Sequence, residues 1–364
     1  MQIPTSRCPR RSRAHLRGSA AIAAIFWLIA IALFVLPFLR QPAGSDDTTA
    51  EGWVDWPREA VNGDELAEES GPPDLPWSDD VAYFEEDYET SLAEPLGEHF
   101  ASWFATSGLV DQRRLQSGKR EYELNCVGCH GAIGDGAGPA GRYLDPRPRN
   151  FRKGMFKFTS TPTGERPLRN DLLQTITRGL AGSSMPNFRL LPLERRLDVV
   201  EYVRYLSIRG EFEQLATDFS WDEEELADLD EVTELLVDRW REENLSPAYP
   251  QISQTPYDAD SVARGREIFL SPGAANCAAC HGEGGKGDGP SAKAFRDDWG
   301  YPIAPRDLTT GVYRAGGAPE DLYRSIDTGI NGTPMGCFGG ALEPEQIWDL
   351  VHFVQSLGPR EGDN

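Results

Sequence analysis

The sequence predicts an all-α protein in which two similar helical units follow a single transmembrane helix and an acidic tether. Three observations predict it. A pattern of residues recurs at an offset near 150, and the first cysteines of the two copies, Cys126 and Cys277, lie 151 positions apart. A charge-free apolar run from Ser19 to Leu39 follows Arg7, Arg10, Arg11, Arg13 and Arg17. Between that run and the first copy lies an acidic stretch without sustained periodicity. With 364 residues, 39% of them hydrophobic, the chain is long enough for more than one core.

Residues 1–18 are basic and 19–39 are apolar. At 1.5 Å rise per residue, about twenty residues cross a bilayer core. Arginines ahead of the run place the N-terminus in the cytoplasm, and everything after Arg40 outside it. The alternative is a cleaved signal peptide, but the run is longer than the usual hydrophobic core of one and Leu36-Pro37-Phe38-Leu39-Arg40 is a poor cleavage site; both readings export the chain. The expected location is therefore the cytoplasmic (inner) membrane, single-pass, with the helical units on the periplasmic side.

Residues 40–104 read as an extended acidic tether. The clusters Asp64-Glu65, Glu68-Glu69, Asp79-Asp80 and Glu85-Glu86-Asp87 repel one another, and Pro72, Pro73 and Pro76 break helices. Trp53, Trp56, Trp77, Tyr83, Phe84 and Tyr88 exceed what a spacer needs. Their role is open between local clustering and docking on a neighbour.

The two units span 105–210 and 258–364. Gly118 and Tyr122 correspond to Gly265 and Phe269, and Gly134-Asp135-Gly136 to Gly287-Asp288-Gly289. Pro148-Arg149-Asn150-Phe151 resembles Pro305-Arg306-Asp307-Leu308, and Asp171 to Gly179 matches Asp321 to Gly329. Each unit closes with an apolar-periodic helix, Arg195 to Leu206 and Pro344 to Leu357. The connection, 211–257, is an acidic helical linker: Leu226, Leu229, Val232, Leu235, Leu236 and Trp240 recur at helical spacing within Asp222 to Glu243.

The chemistry lies in a pentapeptide present twice, Cys126-Val127-Gly128-Cys129-His130 and Cys277-Ala278-Ala279-Cys280-His281. This is the attachment signal for c-type haem. Two thiols bond to the porphyrin edge and the histidine reaches the iron. Two covalently attached haems c are expected. Structural zinc requires four ligands; merging both motifs into one Cys₄ site would leave the rest of the repeat unexplained.

Met185 and Met335 lie 55 and 54 residues after His130 and His281. Both sit in small-residue loops, Gly182-Ser183-Ser184-Met185-Pro186 and Gly332-Thr333-Pro334-Met335-Gly336. A rigid turn of this kind holds a thioether against an iron, whereas a core methionine lies in a periodic apolar run. The expected iron ligands are His130 with Met185 and His281 with Met335. Such ligation raises the haem potential. Met155 has no partner in the repeat.

On these residues, each unit resembles a class I cytochrome c. The resemblance implies two tandem class I cytochrome c domains, with Gly118 meeting Tyr202 and Gly265 meeting Phe353 where the first and last helices cross. It also implies that the carbonyl of Pro139, in Gly138-Pro139, and of Pro290, in Gly289-Pro290, accepts the proximal histidine's Nδ1–H. The whole chain further resembles bacterial membrane-anchored dihaem cytochromes that accompany respiratory oxidoreductases. That resemblance implies electron transfer between a respiratory donor and an acceptor at the outer membrane face, with no catalytic residues. The implied partners are an oxidase, reductase, dehydrogenase or soluble carrier. The alternative is a dihaem redox enzyme, a peroxidase or thiosulfate/thiol oxidase, using one haem as its catalytic site.

Arg147, Arg149 and Arg306 are candidates for holding haem propionates, or are solvated loop residues. Cys337 is open between a buried small residue, an axial thiolate and a reactive thiol. The first unit carries 18 Lys/Arg against 10 Asp/Glu, and the second 9 against 16. Opposed fields of this kind steer different redox partners to different ends. The acidic balance overall, −22, suggests no nucleic-acid role.

Overall fold

The computed structural model describes residues 90–359, apart from 224–227, 246, 248–252 and 274. The expected anchor at 19–39 and most of the tether lie outside the described residues. None of the helices within them is long and apolar enough to cross a membrane.

Ten α-helices are described: α1 Thr90–Ser107, α2 Leu115–Asn125, α3 Val127–His130, α4 Arg169–Arg178, α5 Leu193–Glu223, α6 Leu229–Trp240, α7 Ala259–Leu270, α8 Ala278–His281, α9 Pro319–Thr328 and α10 Pro344–Leu357. Among the described residues there is no strand, only an isolated bridge between Arg296 and Pro302. Local chemistry sets several starts. Asp258 caps α7 through its carboxylate, which accepts from Ser261 N at 2.7 Å. Pro344 opens α10 in the first turn, where its missing N–H costs nothing.

The two cores repeat one arrangement. In the first, α2 crosses α5, and Tyr122 packs on Tyr202 with ring centres 5.3 Å apart. In the second, α7 crosses α10, and Phe269 packs on Phe353 at 5.1 Å. The crossings are close because Gly118 and Gly265 have no Cβ. Added there, it would stand 2.9 Å from the Cβ of Tyr202 and of Phe353 respectively. These are the pairings the family resemblance implies.

Three features depart from expectation. Residues 90–104, read as tether, belong to α1. Leu96, Phe100 and Phe104 fall four apart and are buried, with Phe100 against Phe212 at 5.1 Å and Phe104 against Tyr205 at 5.4 Å. The closing helix of the first unit does not stop near Leu206 but runs to Glu223. Ile208, Phe212 and Ala216 continue its apolar face at fourfold spacing, and α1 and α6 cover it. The linker helix α6 is shorter than expected and buries Val232, Leu236 and Trp240.

Buried charge ties these additions to the first unit. Arg204 donates to the carbonyls of Leu109 (3.0 Å) and Trp240 (3.3 Å). The carboxylate of Glu211 accepts from Arg166, Arg239 and the Trp240 indole. Burial alone would raise the Glu211 pKa, but Arg166 and Arg239 hold it below the ordinary carboxylate value.

The two helical units also touch. Thr163 N donates to Thr328 O at 3.1 Å, Gly164 N to the Asn331 side chain at 2.7 Å, and Arg178 pairs with Asp321 at 3.0 Å.

Candidate haem sites

Each Cys-x-x-Cys-His segment winds into one helical turn, α3 and α8, just after the first helix of its unit. His130 N donates to Cys126 O and His281 N to Cys277 O, both at 2.9 Å. Helical spacing therefore stacks the first cysteine and the histidine of each motif. Gly131 and Gly282 end these turns at φ 78° and 76°, a conformation that favours glycine.

The chain then folds back on the motif. Gly136 N donates to His130 O (2.9 Å) and Gly287 N to His281 O (2.8 Å). Ala140 N and Ser291 N donate to Gly128 O and Ala279 O, each at 2.9 Å. Gly138 and Gly289 lie on the motif backbone so closely that a Cβ on either would come within 2.5 Å of a carbonyl oxygen. These contacts correct the expected correspondence. Gly136 pairs with Gly287 and Gly138 with Gly289, two places from the alignment suggested by the shared Gly-Asp-Gly.

The proximal histidines bring a second correction. Nδ1 of His130 lies 3.1 Å from the carbonyl of Arg149, and Nδ1 of His281 lies 3.1 Å from that of Arg306. Pro139 and Pro290 are not the acceptors. Phe151 N donates to Gly134 O (2.6 Å) and Leu308 N to Gly285 O (2.7 Å), which clamps each Pro-Arg-x-apolar segment beside the imidazole. The segment after each Gly-Pro is instead bound to the motif backbone. Phe151 also stacks on His130, with centres 4.6 Å apart. With Nδ1 turned to a carbonyl, Nε2 is the nitrogen left for a metal. Burial lowers both histidine pKa values, which favours the neutral, ligating form.

The four motif cysteines are free. Burial pushes the Cys126 thiol up to about 12 and the Cys277 thiol to about 11, and raises Cys280 as well. No group of three or more His, Cys, Asp or Glu able to hold a metal ion occurs among the described residues. The donor set fits covalent haem.

The methionine loops match bond for bond. Leu180 N donates to Met185 O (3.2 Å), Ser183 N to Leu180 O (3.1 Å) and Met185 N to the Ser183 hydroxyl (3.3 Å). Ile330 N, Thr333 N and Met335 N repeat these bonds to Met335 O (3.0 Å), Ile330 O (3.2 Å) and the Thr333 hydroxyl (3.2 Å). Both methionines are half-buried. Cys337 is half-buried rather than buried.

Arg147 and Arg149, candidates for holding propionates, reach across to the second unit. Arg149 lies over the ring of Trp299 at 3.4 Å and Arg147 over Tyr301 at 5.6 Å. Trp299 has no counterpart in the first unit, so the repeat that exposed the other residues gave no signal for it.

Two helix-crossing units, each with a Cys-x-x-Cys-His turn and a carbonyl-bound histidine, define a tandem cytochrome c. The protein carries two covalently attached c-type haems. It belongs to the family described as cytochrome c oxidase, cbb3-type, subunit III, whose model matches residues 113–203 and 260–354. It is similar to the Cbb3-type cytochrome c oxidase subunit FixP of Azorhizobium caulinodans, 34% identical over 28% of this chain and 29% of that protein. Similarity to subunit CcoP of Azospirillum brasilense is 34% identity over 29% of this chain and 34% of that protein. The chain thus spans about a third of the length of the curated relatives it matches. A chain of the Kuenenia stuttgartiensis reducing HAO-like protein complex resembles more of it. The likeness has a TM-score of 0.54 at 32% identity, covering 67% of this chain and 96% of that one.

Proposed function

We propose that this chain is a dihaem electron carrier that serves a larger redox enzyme at the outer face of the cytoplasmic membrane, held there by the segment 19–39. The observation that carries the reading is the bond-for-bond repetition of the two sites, histidine turn and methionine loop alike. A catalytic haem needs an open or exchangeable position, and an enzyme built on this chain would be expected to differ between its two loops.

Cys126, Cys129, Cys277 and Cys280 would form the thioethers. His130 with Met185, and His281 with Met335, would cap the two irons. Bound haem supplies an iron that exchanges one electron at modest cost. The protein fixes each imidazole through a backbone carbonyl, holds each thioether in a hydrogen-bonded turn, and packs aromatic rings around the histidine. Arg147, Arg149 and Arg306 would be the candidate partners for propionates.

Two sets of relatives support a protein partner. The cbb3-type subunits match the haem units, while the Kuenenia chain matches nearly end to end and also comes from a complex. The opposed charge of the two units fits separate docking faces for donor and acceptor.

The test uses the full chain in its native membranes. After reduction, it should be reoxidised by the membranes' terminal acceptor, and it should co-purify with an enzyme subunit. Turnover of peroxide or thiosulfate by the purified chain alone would overturn the carrier reading.

A further inference from the structure

The residue that holds each proximal histidine sends its side chain to the other unit. The carbonyl of Arg149 faces His130, and its guanidinium lies 3.4 Å from the centre of the Trp299 ring in the second unit. That ring covers Gly332, three residues before Met335; a Cβ on Gly332 would stand 2.3 Å from it. Asp298 N, next to Trp299, donates to Gly332 O at 3.1 Å.

The reverse contact exists as well. The carbonyl of Arg306 faces His281, and its guanidinium lies against Gly182, three residues before Met185. A Cβ on Gly182 would be 3.0 Å from Arg306 Nη2. Arg306 is held there by its Nε, which donates to Val312 O at 2.8 Å. Gly182 and Gly332 occupy equivalent positions of the repeat, as do Arg149 and Arg306. Each histidine support of one site is thus in contact with the methionine loop of the other, directly or through one indole.

We infer that Arg149 and Arg306 are reciprocal positioning residues that couple the two haem sites, each acting on the iron of the partner unit as well as its own. The inference rests on Met185 and Met335 being ligands. A guanidinium is a permanent cation, and a fixed cation favours the electron-richer ferrous state. Inside a protein such a charge acts over a longer range than at the surface. Arg149 and Arg306 are both half-buried; burial lowers the Arg149 pKa to about 10 against the opposing pull of Asp297 and Asp298, which leaves it a cation at neutral pH.

The test is a redox titration of the full-length, haem-loaded protein, with each haem followed through its own methionine methyl proton resonance. Arg149→Gln should lower the potential of the second haem as well as the first, with both methyl resonances retained. Arg149→Lys, which keeps the charge, should move both less. Arg306→Gln should lower the potential of the haem bound in the first unit. Shifts confined to the haem of the substituted unit, or no shift, would overturn the proposal. If Arg149→Gln loses haem, the half-buried Arg306→Gln decides alone, since among the described residues that side chain's hydrogen bond is to the Val312 carbonyl. Failure of the methionine assignment would show separately, in the unsubstituted protein, as missing methionine methyl resonances.

Discussion

Gly265 lies beneath the backbone carbonyl of Asp349, so that a Cβ on the glycine would come within 1.9 Å of that oxygen. Gly118 meets the carbonyl of Asp198 in the same way at 2.2 Å. Each aspartate is fixed in turn from the facing helix, α7 for Asp349 and α2 with its N-cap residue Arg114 for Asp198. Ser261 and Arg264 donate to Asp349 at 2.7 and 2.8 Å, and Ser117 and Arg114 donate to Asp198 at 2.7 and 2.8 Å. The obstacle to a larger residue is backbone, which cannot rotate away. Gly118→Ala and Gly265→Ala should each cost about 3 kcal/mol, the upper part of the range for overpacking a core. Denaturation of the purified variants checks this, and a cost within experimental error would mean the helices can separate without penalty.

Tyr122 offers a milder test at the same crossing. Its buried hydroxyl donates to Gly131 O at 2.7 Å, at the end of the first haem motif. The second unit has Phe269 at this place. Tyr122→Phe keeps the ring packing but leaves the carbonyl without its donor, and should cost about 1 kcal/mol. Haem content should be unchanged. Chemical denaturation measures the loss, and a loss equal to that of Gly118→Ala would contradict the assignment of packing to the ring.

Replacing Met185 by alanine should lower the potential of the first haem, because thioether sulfur favours ferrous iron. It should also create a carbon monoxide site without loss of covalent haem. Redox titration and carbon monoxide difference spectra check both outcomes. An unchanged potential would count against Met185 as the ligand.

Much of this was legible in the sequence because haem chemistry is written in short, spaced motifs. The two pentapeptides, both methionine loops and the crossing glycines all emerged from a single repeat. Contacts that depend on loop path did not. Arg149 and Arg306 hold the histidines with backbone carbonyls, and any residue type can supply a carbonyl. The α1 helix is not legible because its buried Leu96, Phe100 and Phe104 lie within a segment whose acidic composition suggests a tether. The full length of α5 is not legible because the apolar run meets Arg209, Gly210 and Glu211; in the structure, Glu211 is buried against arginines from two other segments.

His352 predicts a pH dependence. It is fully buried in α10, with Nδ1 2.6 Å from the Ser261 hydroxyl and the Tyr257 ring edge-on at 5.3 Å. Burial lowers its pKa below 6.5, although Asp349 and Asp258 pull the other way and Arg264 adds to the lowering. The unfolded chain therefore takes up this proton at higher pH than the folded one. The contribution is intact above the unfolded value of 6.5 and is lost as pH falls from there toward the folded value. Denaturant midpoints at about pH 7.5 and about pH 5.5 should differ less in His352→Gln than in the parent protein. Equal pH dependence in both would assign the effect elsewhere.

The most direct measurement is the absorption spectrum of the oxidised full-length protein, followed by carbon monoxide addition after reduction. Two thioether-to-ferric charge-transfer contributions at the red edge, no high-spin features and no carbon monoxide binding are the result expected of two irons capped by His130 with Met185 and His281 with Met335. A high-spin signal, or stoichiometric carbon monoxide binding at either haem, would contradict it.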